Sequence, residues 1–77
     1  MQVKVLIFGQ LTDITGLSEL LVTDVSTSNE LIESLTGKYP ELATAKYVVA
    51  LDKKVISQET QLPDNSTVAL LPPFSGG

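Results

Sequence analysis

Apolar residues recur at every second position, then at helical spacing, then at every second position again, and these changes of period divide the chain into elements. In "QVKVLIF" (Gln2–Phe8), Val3, Val5 and Ile7 share one face while Lys4, Leu6 and Phe8 share the other, which predicts a strand. Gly9 breaks the run, and "LTDITG" predicts an irregular or single-turn segment ending at Gly16. "SELLVTD" (Ser18–Asp24) predicts a second strand, close enough to the first to form an antiparallel hairpin. The period then lengthens in "STSNELIESLTGKYP", where Leu31, Ile32 and Leu35 form one apolar stripe and Glu30, Glu33 and Ser34 face water. Thr27 and Glu30 have capping-box spacing at the start of this helix, and Lys38 suits its C-terminal dipole. Pro40 prevents continuation, and "ELATAK" adds at most one more turn. Alternation returns in "YVVAL" (Tyr47–Leu51), "VIS" (Val55–Ser57) and "TVALL" (Thr67–Leu71), with turns expected at Asp52–Lys54 and Pro63–Ser66.

The element order is therefore β-β-α-β-β-β. A hairpin, one crossing helix and a return to strands imply an α+β fold, a mixed sheet packed on one main helix, which is the β-grasp. The expected organisation is a β-grasp domain over residues 1–71 and an extended C-terminal tail over 72–77.

Seventy-seven residues suffice for one small core, and with only four aromatics (Phe8, Tyr39, Tyr47, Phe74) it must be largely aliphatic. The absence of cysteine and histidine removes disulfides, thiolate nucleophiles, the usual zinc ligands and the commonest neutral-pH base. Nine acidic residues stand against five lysines and no arginine, which argues against nucleic acid as a partner. The acidic balance serves solubility first, and it also suits partners that present basic surfaces. The run "VLIFG" is too short for a signal-peptide core and no stretch approaches a membrane span, so the expectation is a cytoplasmic protein without membrane contact. Glu30, Glu33 and Asp64 read as capping or solvated charges, and no metal site is expected.

The ending "LPPFSGG" carries the candidate chemistry. Pro72 and Pro73 cannot extend the ladder of the preceding strand and favour a stiff polyproline conformation. Six extended residues reach roughly 20 Å. Gly76 and Gly77 bring no side chains, so bare backbone would enter a narrow channel, with Phe74 as a grip in a partner pocket. A terminal carboxylate at such a tip becomes an electrophile once adenylated. The five glycines are too scattered to cradle a nucleotide, so a partner must catalyse that step.

With "VKVLIFGQLTDITG" at the start, "ALDKKVIS" in the middle and "VALLPPFSGG" at the end, the chain resembles the small subunit of molybdopterin synthase, a ubiquitin-like sulfur carrier. The resemblance covers essentially the whole length. It implies that an adenylyltransferase resembling a ubiquitin-activating enzyme uses ATP to adenylate Gly77, and that a persulfide donor converts it to a thiocarboxylate, leaving a 1-thioglycine. The carrier then docks into the synthase large subunit as part of a heterotetramer and donates sulfur to cyclic pyranopterin monophosphate. The chain itself is implied to be a non-catalytic carrier with no permanently bound cofactor. It departs from the family at Asp52-Lys53, where an Asn or an Asn-Gly-like turn is common, and near Thr12, where some members carry arginine. A bare Gly-Gly end is shared with thiamin-pathway carriers and ubiquitin-like modifiers; Pro72-Pro73 favours the molybdopterin branch. A β-grasp binding module with a passive tail is the remaining alternative.

Strand parity supplies a docking face. If Val3, Val5 and Ile7 pack under the helix, Leu6 and Phe8 lie on the open face, as do Ala69 and Leu71 when Val68 and Leu70 point inward. Phe8, Val55 and Leu71 are expected to form an apolar patch near the tail exit. The candidate partner-binding set is thus Phe8, Val55, Leu71, Pro72, Pro73, Phe74 and Ser75, with Gly76 and Gly77 as the reactive tip.

Overall fold

The computed structural model describes residues 2–73 of the chain. Within them, β1 (Gln2–Ile7) and β2 (Glu19–Thr23) form the expected hairpin, with Val5 opposite Leu20. A five-residue helix, α1 (Leu11–Thr15), occupies the connection and is closed by Gly16 in the left-handed conformation (φ 73°), whose N–H donates to the Thr12 carbonyl. The main helix, α2 (Ser28–Lys38), precedes a 3-10 turn over Pro40–Ala43. β3 (Val48–Leu51), β4 (Lys54–Ile56) and β5 (Thr67–Leu71) complete a sheet of order β2-β1-β5-β3-β4. β1 and β5 pair in parallel at its centre, and all other pairs are antiparallel. This is the expected β-grasp arrangement, with strand limits displaced by one residue at Phe8, Ser18, Asp24, Tyr47, Lys54 and Ser57.

The α2 N-terminus forms as its sequence dictates. The Thr27 hydroxyl accepts from the Glu30 N–H (3.2 Å), and the Glu30 carboxylate accepts from the backbone of Ser26 (2.7 Å) and Thr27 (3.3 Å). Hydrogen bonds from the Ser26 backbone and hydroxyl, and then from Thr27, hold the Glu30 carboxyl below its ordinary range. Ser28 fastens this end to the segment before β5: its N–H donates to the Thr60 carbonyl and its hydroxyl accepts from the Thr60 N–H. Asp64, expected to be merely solvated, accepts from the Gln2 N–H at 2.8 Å and so ties the start of β1 to the turn before β5.

The core lies between α2 and one face of the sheet. Val3, Val5, Val68 and Leu70 rise from the central strands to meet Leu31 and Leu35, all essentially inaccessible to solvent. Leu42 of the 3-10 turn, Leu62 and Leu11 close the margins. Parity along β1 and β5 is thus as the sequence predicts, and among the described residues no helix covers the opposite face.

The β3–β4 turn is less well matched to its sequence. Asp52 (φ 47°) and Lys53 (φ 76°) both adopt the left-handed region that two-residue hairpins require and that glycine or asparagine occupies at least cost. Asp52 offsets part of this by accepting from the Thr67 N–H through its carboxylate (3.1 Å). Lys53→Gly is expected to raise unfolding stability by about 0.5–1 kcal/mol, read as a higher urea midpoint at unchanged slope. An unchanged or lower midpoint would show that the turn carries no strain at Lys53.

Candidate functional site

The open face of the sheet is dished because of what sits at its middle. Ala50 and Ala69 face each other across β3 and β5, and their short side chains leave a floor between longer neighbours. Leu6 pairs with Ala69 on one side and Val55 with Ala50 on the other. The next row consists of Leu71 opposite Val48, with Phe8 following β1 and donating its N–H to the Leu70 carbonyl (3.1 Å). The result is a shallow depression of about 510 Å³, bounded at its far end by Asp52, Lys53 and Thr67.

Phe8 is 43% exposed and Val55 68%, while Leu71 is half-buried. The structure therefore brings the three expected residues to one concave apolar surface, with a refinement of place. Phe8 and Leu71 stand beside the point where the chain leaves β5, whereas Val55 lies one row back at the sheet edge. Sequence reasoning missed Ala50 and Ala69, whose smallness makes the dish; alternation alone marks a side chain as outward but not what its neighbours leave open. It also missed Leu21, 60% exposed on the same face beyond the Lys4–Glu19 ion pair (3.2 Å).

The chain leaves the sheet at Pro72, which is half-buried, and Pro73, which is exposed. The Pro72 ring lies over the Cα of Gly9. On the other side of this root a groove of about 580 Å³ runs past Leu11 and Ile14 of α1 to Ala45, with Asp13 and Lys46 at its rim. Phe74, Ser75, Gly76 and Gly77 lie outside the described residues.

No helix among the described residues is long and apolar enough to cross a membrane. Nor do the described residues gather three or more side chains able to hold a metal ion. What the arrangement offers chemically is a concave apolar surface adjoining the root of the C-terminal segment.

Comparison with known proteins agrees with that geometry. The ThiS family matches residues 5–77. The molybdopterin synthase sulfur carrier subunit of Dictyostelium discoideum is 31% identical, with 99% of this chain and 96% of that protein aligned. A chain from the protein–protein complex of subunits 1 and 2 of molybdopterin-converting factor of Helicobacter pylori is 29% identical, covers all of both chains and superimposes with a TM-score of 0.75. The small archaeal modifier protein 1 of Methanosarcina acetivorans is 27% identical over 99% of this chain and 96% of that one, with a TM-score of 0.83. Fold, length and sequence agree, and the chain belongs to the ThiS family, among the ubiquitin-like β-grasp proteins that include molybdopterin synthase sulfur carrier subunits.

Proposed function

We propose that the chain carries sulfur on its C-terminal residue as the small subunit of a molybdopterin synthase. The observation that carries this reading is the apolar dish continuous with the root of a Pro-Pro-x-x-Gly-Gly ending, in a chain whose full-length relatives are named sulfur carrier subunits. The Gly77 carboxylate attacks the α-phosphate of ATP on an activating enzyme, giving an acyl-adenylate and releasing pyrophosphate. A persulfide sulfur then attacks the acyl carbon and expels AMP. A second thiol on a partner reduces the resulting acyl disulfide, leaving the Gly77 thiocarboxylate and an oxidised partner disulfide. The thiocarboxylate sulfur bonds to a carbon of cyclic pyranopterin monophosphate on the large subunit as the oxygen on that carbon departs. Water then cleaves the acyl–sulfur bond, leaving the sulfur on the product and returning the Gly77 carboxylate. Two carriers on a large-subunit dimer, a heterotetramer, supply the two sulfurs of the dithiolene.

The dish is the surface by which the large subunit and the activating enzyme hold the domain while the C-terminal segment reaches the reacting centre. Apolar anchors at the middle of such surfaces dominate binding. Phe8→Asp is expected to weaken large-subunit binding by about thirtyfold or more, the equivalent of about 2 kcal/mol. Leu21→Asp, on the same face but beyond the ion pair, is expected to leave it within about twofold. Equal effects in a titration calorimeter would remove the dish as the docking surface.

The reading is tested by intact mass spectrometry after incubation with the cognate activating enzyme, ATP and a persulfide donor. A species heavier by the difference between sulfur and oxygen, mapped to Gly77, is expected. A terminus that remains a carboxylate would end the carrier reading. The match to a small archaeal modifier protein favours one second reading, in which Gly77 is joined to lysines of other proteins. Its signature is a ladder of Gly77-dependent conjugates with no sulfur at the tip.

A further inference from the structure

Gly9 stands where β1 gives way to α1, with φ +60°. A Cβ built there would lie 2.5 Å from Pro72 Cγ, closer than real Cβ atoms come to another heavy atom, and 3.3 Å from its Cδ, tighter than ordinary contact. The Pro72 ring thus occupies the space that any side chain at position 9 would need.

Hydrogen bonds hold the seat on both sides. The Gly9 carbonyl accepts from the Thr12 N–H (3.2 Å) and the Thr12 hydroxyl (2.8 Å). The Phe8 carbonyl accepts from the Leu11 N–H (3.3 Å), and the Phe8 N–H reaches the Leu70 carbonyl next to the strand end (3.1 Å). Gly16 has the same left-handed backbone (φ +73°) but nothing within 4 Å of its would-be Cβ. These two glycines separate the conformational requirement from the contact.

From this contact we propose that Gly9 is a positioning residue, whose bare Cα seats the Pro72 ring and so fixes the direction in which the chain leaves the domain at Pro73. The inference rests on the reading of Gly77 as the reacting group, and it adds the device that aims it. Proline holds φ near −65°, so neither Pro72 nor Pro73 can absorb a displacement of the ring by turning about φ, and more of it is carried outward. Restoring ordinary contact at position 9 requires a shift of about 1 Å, and misplacement on that scale can lower a rate by about a hundredfold.

The test compares the full chain with Gly9→Asn and Gly16→Asn, because asparagine accepts positive φ more readily than other side-chain-bearing residues. In the free protein, nuclear Overhauser contacts between the Gly9 Hα and Pro72 ring protons are expected, with the Pro72 and Pro73 resonances displaced in Gly9→Asn alone. With the activating enzyme and ATP, Gly9→Asn is expected to lower kcat for pyrophosphate release by about ten- to a hundredfold, with KM within about twofold because the dish is intact. Gly16→Asn is expected to change neither. Equal kcat in the two variants, or no Gly9–Pro72 contact in the wild type, would overturn the proposal. Failure of the wild type to be adenylated would remove the carrier reading instead, and the Overhauser contacts would still decide whether Gly9 seats Pro72.

Discussion

Replacing Gly77 with valine is expected to abolish adenylation, and every step that depends on it, while leaving Tm within about 4 °C of the wild type. The chemical half of this expectation follows from the reaction. On the proposed reaction the carboxylate is brought into line with the α-phosphate inside a partner's channel, and a branched side chain at position 77 obstructs that approach. The thermal half follows from where the core ends. Every buried hydrophobic residue among those described lies between Val3 and Leu70, so a change at position 77 removes none of that packing. Intact mass after charging and calorimetry on the same sample read both halves. A large fall in Tm would mean that the C-terminal segment contributes to the fold, and normal charging would mean that no narrow channel receives it.

Leu31→Ala is expected to produce the opposite signature, a large loss of stability with the chemistry preserved. Leu31 is completely buried where α2 meets the central strands, and truncating such a leucine costs about 2–5 kcal/mol through lost transfer free energy and the cavity left behind. A domain of this size holds only about 4–12 kcal/mol in total, so the variant retains little margin. Its Tm should fall by about 15 °C or more. Ile32→Ala, at a half-buried neighbouring position, should cost clearly less. Below the transition the folded fraction of Leu31→Ala should still be charged at Gly77, because the substitution touches neither the dish nor the Pro72 root. A loss below about 1 kcal/mol would place Leu31 outside the core.

These contrasts show which features the sequence carried openly. Alternation in β1 and β5 divided Val3, Val5, Val68 and Leu70 from Leu6, Phe8, Ala69 and Leu71, and the structure buries the first group. The capping box at Thr27 and Glu30 was equally legible, because its spacing is dictated by helix geometry. The α1 helix was reduced to a single turn because "LTDITG" is too short to display a period, and its helicity depends on Leu11 and Thr15 being buried. The clasp between Ser28 and Thr60 left no local sign, since its partners are 32 residues apart. The dish was half legible: outward residues could be listed by parity, but its concavity depends on two alanines meeting across strands whose register only the folded sheet defines. Gly9 looked like a strand terminator, and its contact with Pro72 emerged only when the ends of β1 and β5 were placed side by side.

That adjacency also bears on biosynthesis. The two strands that form the middle of the sheet are the first and the last that the ribosome makes in this domain. Until β5 emerges, β1 has only β2 beside it, and β3 with β4 has no central strand to join. The nascent domain cannot close its sheet segment by segment, and folding waits for one late, long-range pairing of the kind that slows small proteins. The residues that complete the sheet immediately precede the Pro-Pro-x-x-Gly-Gly segment. A chain interrupted before β5 therefore lacks its central strand as well as Gly77, the residue proposed to carry sulfur, so early termination removes the fold and the proposed chemistry together.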